Sequence, residues 1–245
     1  MSKQSNEIMS NNTEPIYVDV WSDIVCPFCY IGKRNFENAL KETGMKDQVK
    51  VVWHSFELAP DAETNPEASI YEELAKRKGW SPEQSQQIHK QMEERARESG
   101  LDYDFDKTIP ANSFNAHRLL HLAKKQGVQN EVKELLFKGY FKYGNNIDNE
   151  GYLIEIGEEA GLKEDDIRKS LQSDKIEKEI TEDIQNAHKL GIQGVPFFVL
   201  NQKYAISGAQ PVEVFIQALE KLKSEMGFQS LNKDDTAFCG PDGNC

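Results

Sequence analysis

The sequence predicts an α/β chain whose strands lie at its two ends and whose middle is helical, and three observations support this. Short runs of β-forming residues occupy 16–21, 49–54, 197–200 and 204–207. Between the second and third of them, apolar residues recur at helical rather than alternating spacing. A helix-length amphipathic stretch separates the first two strands, and another follows the fourth. The order is therefore βαβ, a helical block, then ββα. Neither half of such a sheet could bury both faces alone, so a helical insertion between two halves of one sheet is favoured over two consecutive domains. The expected organisation is a polar lead-in over 1–15, a discontinuous sheet domain over 16–61 and 189–227, an insertion over 62–188 and a tail over 228–245.

Each element has a local cause. The first run, IYVDVW, alternates apolar and polar residues as a half-buried strand does. Over 27–43, Phe28, Ile31, Phe36 and Leu40 share a helical face, and Gly44 supplies a stop. The strand over 49–54 then completes a crossover of the length a βαβ unit needs. Ser81-Pro82-Glu83-Gln84 is a capping-box start with proline at the first helical position, and Ile88, Met92 and Ala96 follow on one side. Further helices are predicted over 114–126, 130–143, 150–160 and 164–172, then one bearing Ile176, Ile180 and Ile184 and ended by Gly191. The apolar run Phe-Phe-Val-Leu suits a buried strand, and Asn201-Gln202 falls where a hairpin turn belongs. Gly208 breaks the last strand, and a closing helix is predicted over 212–226.

Composition narrows the function. The 245 residues hold 29 Lys and Arg against 41 Asp and Glu, a formal charge of −12. A net anion without a dense basic run is a poor ligand for nucleic acid or an anionic membrane. The opening MSKQSNEIMSNNTEP lacks the apolar core of a secretory signal, and no later stretch approaches the roughly 18 apolar residues of a membrane span. The cytoplasm is the expected compartment. Four cysteines are too few for a disulfide scaffold, which needs roughly 8–10% in a short secreted chain. In a reducing compartment a close pair points to catalysis or metal binding.

Cys26-Pro27-Phe28-Cys29 ends the first strand and opens the first helix. A thiolate there faces unpaired backbone N–H groups and the positive end of the helix dipole, which lower its pKa from about 8.5 to as little as about 3.5 in some oxidoreductases. Pro27 costs no hydrogen bond in the first turn. The predicted division is Cys26 as exposed nucleophile and Cys29 as deeper resolving thiol, with Pro27 and Phe28 tuning the potential. Half of a zinc site and an inert buried pair are the alternatives; zinc needs two further ligands. A second element, Gly194-Val195-Pro196-Phe197, sets proline at a strand's first residue, where its missing donor is tolerated. A cis Val195-Pro196 bond would offer Val195 as an extended docking edge. Only about 5–6% of X-Pro bonds are cis, so position alone leaves the isomer open.

Taken together, WSDIVCPFCYIGK, the helical insertion, GIQGVPFFVLNQKYAISGAQP and the closing helix resemble the DsbA-like thioredoxin-fold family, and within it the FrnE-like branch of predicted dithiol-disulfide isomerases. The likeness runs from about Ile16 to Met226. It implies a thioredoxin-like fold, a cis Pro196 facing the cysteine pair, and a substrate chain held along that loop. Asn112 and His117, in Asn-Ser-Phe-Asn-Ala-His-Arg, look like a segment this branch carries near its active-site groove; an ordinary capped helix with a packed histidine is the competing reading. Asp23 either relays protons to the buried thiol or bonds at the helix entry. His54, His89, His121 and His188 show no metal-like spacing.

Cys239 and Cys245 flank the turn-rich Gly-Pro-Asp-Gly-Asn. The spacing is one residue longer than is usual for tail pairs in FrnE-like proteins. A second redox pair, a guard over the active site, metal binding and a tail without a role are the readings it admits. The expected activity is thiol-disulfide exchange on disulfide or dithiol proteins, with no bound cofactor or metal, the Cys26-Cys29 disulfide as redox centre, and glutathione or another thiol as co-substrate. The rivals are a glutathione-dependent isomerase or transferase of the 2-hydroxychromene-2-carboxylate or kappa-class type, which usually carries serine in place of Cys26, and a zinc-stabilised binding module using all four cysteines.

Overall fold

The computed structural model of the chain describes residues 15–226. The lead-in and the Cys239/Cys245 pair lie outside them. Strand β1 (Ile16–Ser22) leads into helix α1 (Pro27–Glu42), and a short 3-10 turn at Lys46–Gln48 precedes β2 (Val49–Ser55). The insertion supplies α2 (Ile70–Lys78), α3 (Pro82–Glu98), α4 (Phe114–Gln126), α5 (Gln129–Lys138), α6 (Glu150–Glu159), α7 (Glu164–Leu171) and α8 (Asp174–Lys189). The chain closes with β3 (Phe197–Leu200), β4 (Tyr204–Ser207) and α9 (Val212–Glu225). The strands form one sheet in the order β2-β1-β3-β4, parallel only between β1 and β2. The hairpin turn at Asn201-Gln202 has both residues at positive φ, 48° and 56°, the twist that two-residue hairpins favour.

Alternation along β1 sorts the two faces. Ile16, Val18 and Val20 point to one side, where they pack with Phe36 and Leu40 of α1 and Phe215, Leu219 and Leu222 of α9. The rings of Phe36, Phe198 and Phe215 meet tilted or edge-on at 4.9–5.5 Å between centroids. On the other face Trp21 packs with Phe56, Ala187 and Ile192. Edge strand β2 is closed by a side chain: the Gln129 amide accepts from Trp53 N at 3.1 Å and donates to Trp53 O at 2.9 Å, standing in for a further strand.

A polar clamp fastens the insertion to the sheet. The His54 ring on β2 lies between Asp183 Oδ1, 2.7 Å from Nδ1, and Asp19 Oδ1, 2.8 Å from Nε2. Asp183 Oδ2 accepts from Ser55 N at 2.9 Å and lies 3.3 Å from His121 Nε2. Trp21 stacks on His54 at 4.7 Å and donates from its indole nitrogen to Asp183 O. This explains a departure from the predicted α8 stripe: Asp183 is buried with Ile176 and Ile180, while Ile184 is only half-buried.

Two other elements differ from expectation. Helix α2 is unpredicted, since Ile-Tyr-Glu-Glu-Leu-Ala-Lys-Arg-Lys has too few apolar positions to declare a face; packing against α3 and a left-handed cap at Gly79 (φ 69°) define it. The single helix predicted over 130–143 changes to a wider π turn at Gly139–Tyr143. Gly139 leaves room there for the Tyr152 hydroxyl, which a Cβ would meet at 1.7 Å. The capping box at Ser81 and Gln84 forms in full. Among the described residues no helix is long and apolar enough to cross a membrane.

Candidate active site

Cys26 is the N-cap of α1, with extended backbone, and Pro27 occupies the first helical position. The turn is closed by Cys26 N donating to Asp23 O at 3.3 Å and Cys29 N to Cys26 O at 3.0 Å. Both cysteines are free thiols. Val195-Pro196 is cis, and Cys26 Sγ donates to Val195 O at 3.5 Å, joining residues 169 apart in sequence. The close approach of this loop to α1 depends on Gly32, where a Cβ would lie 2.8 Å from Pro196 Cγ. The predicted Cys26, Cys29, Val195 and Pro196 thus form one constellation.

Two expectations for the dithiol need correction. Cys26 is 3% exposed and Cys29 0%, so the outer thiol is covered rather than open. Both cysteines belong to the apolar core of the insertion, not to that of the sheet. Tyr103 donates to Pro27 O at 2.7 Å, and Arg95 of α3 lies over the Phe28 ring at 5.3 Å, so the insertion reaches across the Cys-Pro-Phe-Cys turn. The Cys26 pKa is not lowered but pushed well up. Hydrogen bonding to the Cys29 sulfur does most, then burial and the Cys29 charge; the Cys29 N–H opposes them, and the Asp23 carboxylate adds to the rise. The helix end acts as expected, but the closed dithiol outweighs it.

Asp23 and His117, singled out separately in the sequence, meet. His117 Nε2 lies 3.4 Å from Asp23 Oδ1, and both residues are 0% exposed. Asp23 also accepts from Val25 N at 3.4 Å and Leu58 N at 2.8 Å, so it makes the helix-entry bonds as well. Burial raises the Asp23 pKa, but the His117 hydrogen bond and charge and the Leu58 N–H outweigh it and hold the carboxylate below its usual range. Burial pushes His117 down, towards neutrality. His117 presents Nε2 to Asp23, and its Nδ1 has no hydrogen-bond partner among the described residues. Glu57 stands nearby, its carboxyl pushed up to about 7 by burial and then by the Asp23 charge.

Asn112 does not join this constellation. Its side-chain amide donates to Pro60 O and Ala62 O and its Oδ1 accepts from Phe114 N, so it clamps the loop before α4. A cleft of about 140 Å³ is lined by Val25, Leu58, Ile70, Ala111 and Tyr140, and neither cysteine is among its lining residues. A roomier one of about 620 Å³ between α1 and β2 touches neither cysteine nor the cis-proline loop. Sequence reading missed Lys133 of α5, whose Nζ is fully buried near the Trp53 and Phe137 rings and has no hydrogen-bond partner among the described residues. Among the described residues no group of three or more His, Cys, Asp or Glu is placed to hold a metal ion.

The DSBA-like thioredoxin domain family matches residues 17–220, most of the chain. The chain belongs to that family. It is similar to the crystal structure of a probable DsbA oxidoreductase from Streptomyces coelicolor, at 36% identity and TM-score 0.78, over 93% of this chain and 97% of that one. The uncharacterized protein YwbO of Bacillus subtilis is 27% identical over 206 residues, 83% of this chain and 96% of that protein. The cytosolic disulfide reductase DsbM of Pseudomonas aeruginosa shares the fold at TM-score 0.62 and 15% identity, over 85% of this chain and 99% of that one. The DsbA-like oxidoreductase fold with a helical insertion is therefore the fold of this chain.

Proposed function

We propose that the protein is a thiol-disulfide oxidoreductase or disulfide isomerase whose redox centre is Cys26 and Cys29. The observation that carries the reading is the junction of three parts: a dithiol at a helix N-terminus, a cis Val195-Pro196 bond, and the Cys26 Sγ contact to Val195 O at 3.5 Å. Val195 is only half-buried and serves as the docking edge for an extended substrate segment. A substrate N–H bound to Val195 O takes over the acceptor that now favours the Cys26 thiol. The Cys26 thiolate attacks a substrate disulfide, forming a mixed disulfide and releasing one substrate thiolate. Cys29 then attacks Cys26 Sγ, which forms the Cys26-Cys29 bond and frees the second substrate sulfur. The substrate gains two electrons and the dithiol loses them; the reverse sequence oxidises a dithiol protein.

No bound organic cofactor takes part. Glutathione is the proposed thiol that restores the dithiol, in a cytoplasmic setting; the structural neighbour DsbM has been solved with it. Pro27 and Phe28 tune the potential, and Cys239 with Cys245 form the proposed second redox pair. Insulin-disulfide reduction with regenerating glutathione tests the scheme. Turnover should fall to background in Cys26→Ala and drop only a few-fold in the Cys239→Ala/Cys245→Ala double variant. Turnover that survives Cys26→Ala would overturn the reading.

A further inference from the structure

A guanidinium keeps its charge at any physiological pH, and in a chain of net charge −12 carboxylates are plentiful to pair with it. Five of the six arginines, Arg34, Arg77, Arg97, Arg118 and Arg168, each have one. Arg95, in the last turn of α3, is exposed and makes no ion pair among the described residues. It is held in place all the same. Its Cζ lies 5.3 Å from the centre of the ring of Phe28, which separates the two cysteines together with Pro27, and its Nη2 donates to Ala209 O at 2.9 Å. Gly208, the residue before Ala209, donates from its N–H to Pro196 O at 2.8 Å. Arg95 therefore stands where the Cys-Pro-Phe-Cys turn and the loop bonded to the cis-proline converge. The ring takes one face of the guanidinium and Ala209 O one of its five N–H donors. The donors that remain lie in the guanidinium plane, in the fork that fits a carboxylate. Phe28 is only half-buried, so this cation is open to a molecule that approaches the turn.

We propose that Arg95 receives a carboxylate of the thiol that restores the dithiol, so that the preferred co-substrate is an acidic thiol of the glutathione kind. This rests on the oxidoreductase reading above and assigns a specificity-determining residue to its regenerating step. The co-substrate thiolate attacks Cys26 Sγ of the Cys26-Cys29 disulfide. A bond forms between the two sulfurs, the Cys26-Cys29 bond breaks, and the electron pair leaves on Cys29, which is then protonated. A second co-substrate thiolate attacks the outer sulfur of this mixed disulfide, frees Cys26 as a thiolate and leaves as the co-substrate disulfide. The two thiols lose one electron each and the protein disulfide gains both. Arg95 takes no part in these bond changes; it holds the carboxylate while the sulfur attached to it reacts at Cys26. The net charge of −12 repels an anionic thiol, and an unneutralised cation at the turn offsets that repulsion where it matters. A neutral thiol gains nothing from the same cation.

The test reduces the disulfide form of the full chain with glutathione, with glutathione diethyl ester and with 2-mercaptoethanol, and follows the Cys26-Cys29 segment by mass spectrometry after acid quenching and alkylation. The ratio of the glutathione rate to the diethyl ester rate cancels any general damage to the site. It should fall by about tenfold in Arg95→Gln and by only about threefold in Arg95→Lys, which keeps the charge without the fork. The ratio to 2-mercaptoethanol should fall in parallel. Wild-type protein provides a check independent of any variant: S-methylglutathione, which has no thiol, should shift the Arg95 Nε–H NMR signal, and its diethyl ester should not. Rate ratios in Arg95→Gln within about twofold of wild type, or an Nε–H signal that responds alike to acid and ester, would overturn the role of Arg95. Wild type that none of the three thiols reduces would instead bring down the oxidoreductase reading itself.

Discussion

Two buried polar clusters draw on neighbouring turns of α4, through His121 and His117, and they are finished to different standards. In the clamp, both nitrogens of His54 and both oxygens of Asp183 have partners within 3.3 Å. In the cluster around Asp23 and α5, His117 Nδ1 and Lys133 Nζ have none among the described residues. An unpartnered buried polar atom costs about 1–3 kcal/mol and more when charged. A fold that completes one cluster and leaves the other open is using them for different ends. The clamp joins α8 and α4 to the sheet; the open cluster leaves polar atoms unpaired in the core of the insertion. Removing groups from the first should cost stability, and removing an unpaired group from the second should add it.

The largest effect is expected at Asp183. Asp183→Ala leaves Ser55 N without its acceptor and His54 with one carboxylate in place of two. The loss should be about 3 kcal/mol in denaturant unfolding, with thiol-exchange rates per folded molecule unchanged. A loss below about 1 kcal/mol would show that the clamp carries no more than a surface ion pair. The pH dependence has a definite sign. Burial pulls the His54 pKa down, but hydrogen bonds to Asp183 and Asp19 outweigh it and raise it, so its contribution is full below the ordinary histidine value and lost as pH rises through the raised one. Burial raises Asp183, while His121 and His54 bring it well below the carboxylate range, so its contribution is present above about pH 4 and lost as pH falls through the depressed value. The stability gap between wild type and Asp183→Ala should therefore be widest between about pH 4 and 6.5.

The opposite sign is expected at Lys133. Replacing its ammonium by the thioether of methionine removes an unpaired buried cation at similar volume, and stability should rise by about 2 kcal/mol in the same unfolding measurement. A destabilised Lys133→Met would mean that the Phe137 and Trp53 contacts outweigh burial, which makes Lys133 a second clamp and removes the contrast.

What the sequence revealed of these clusters follows from how local each signal is. Cys26 and Cys29 are placed by their own neighbours: a strand before, proline at the first helical position, an apolar face after. The short strands are equally legible, because alternation and the turn residues lie within them. The meeting of Asp23 with His117, across 94 residues, was out of reach, although each residue alone drew notice. Lys133 carries no sequence signal at all: within Asn-Glu-Val-Lys-Glu-Leu-Leu it reads as the polar side of a helix. Only the placement of α5 beside α1 and Trp53 buries it. Asp183 was hidden in the same way, on a helix whose isoleucines suggested an apolar stripe.

The smallest effect expected concerns Glu57, and it asks whether the open cluster extends to its rim. Glu57 is half-buried, and burial followed by the Asp23 charge raises its carboxyl from the ordinary range to about 7. For an acid with a raised folded-state pKa, the stabilising form is the protonated one. Its contribution is complete below about pH 4.5 and lost as pH rises to about 7, so the charged carboxylate strains the fold at pH 8. Glu57→Gln should leave stability unchanged at pH 4 and raise it by about 1 kcal/mol at pH 8, a figure already reduced for solvent screening of a half-exposed group. Unfolding curves at the two pH values decide it. A gain of equal size at both would trace to packing of the amide. A gain only at pH 8 places Glu57 with Asp23 in a set of charges the fold tolerates, while the clamp loses stability over part of that same pH rise because its histidine gives up its proton.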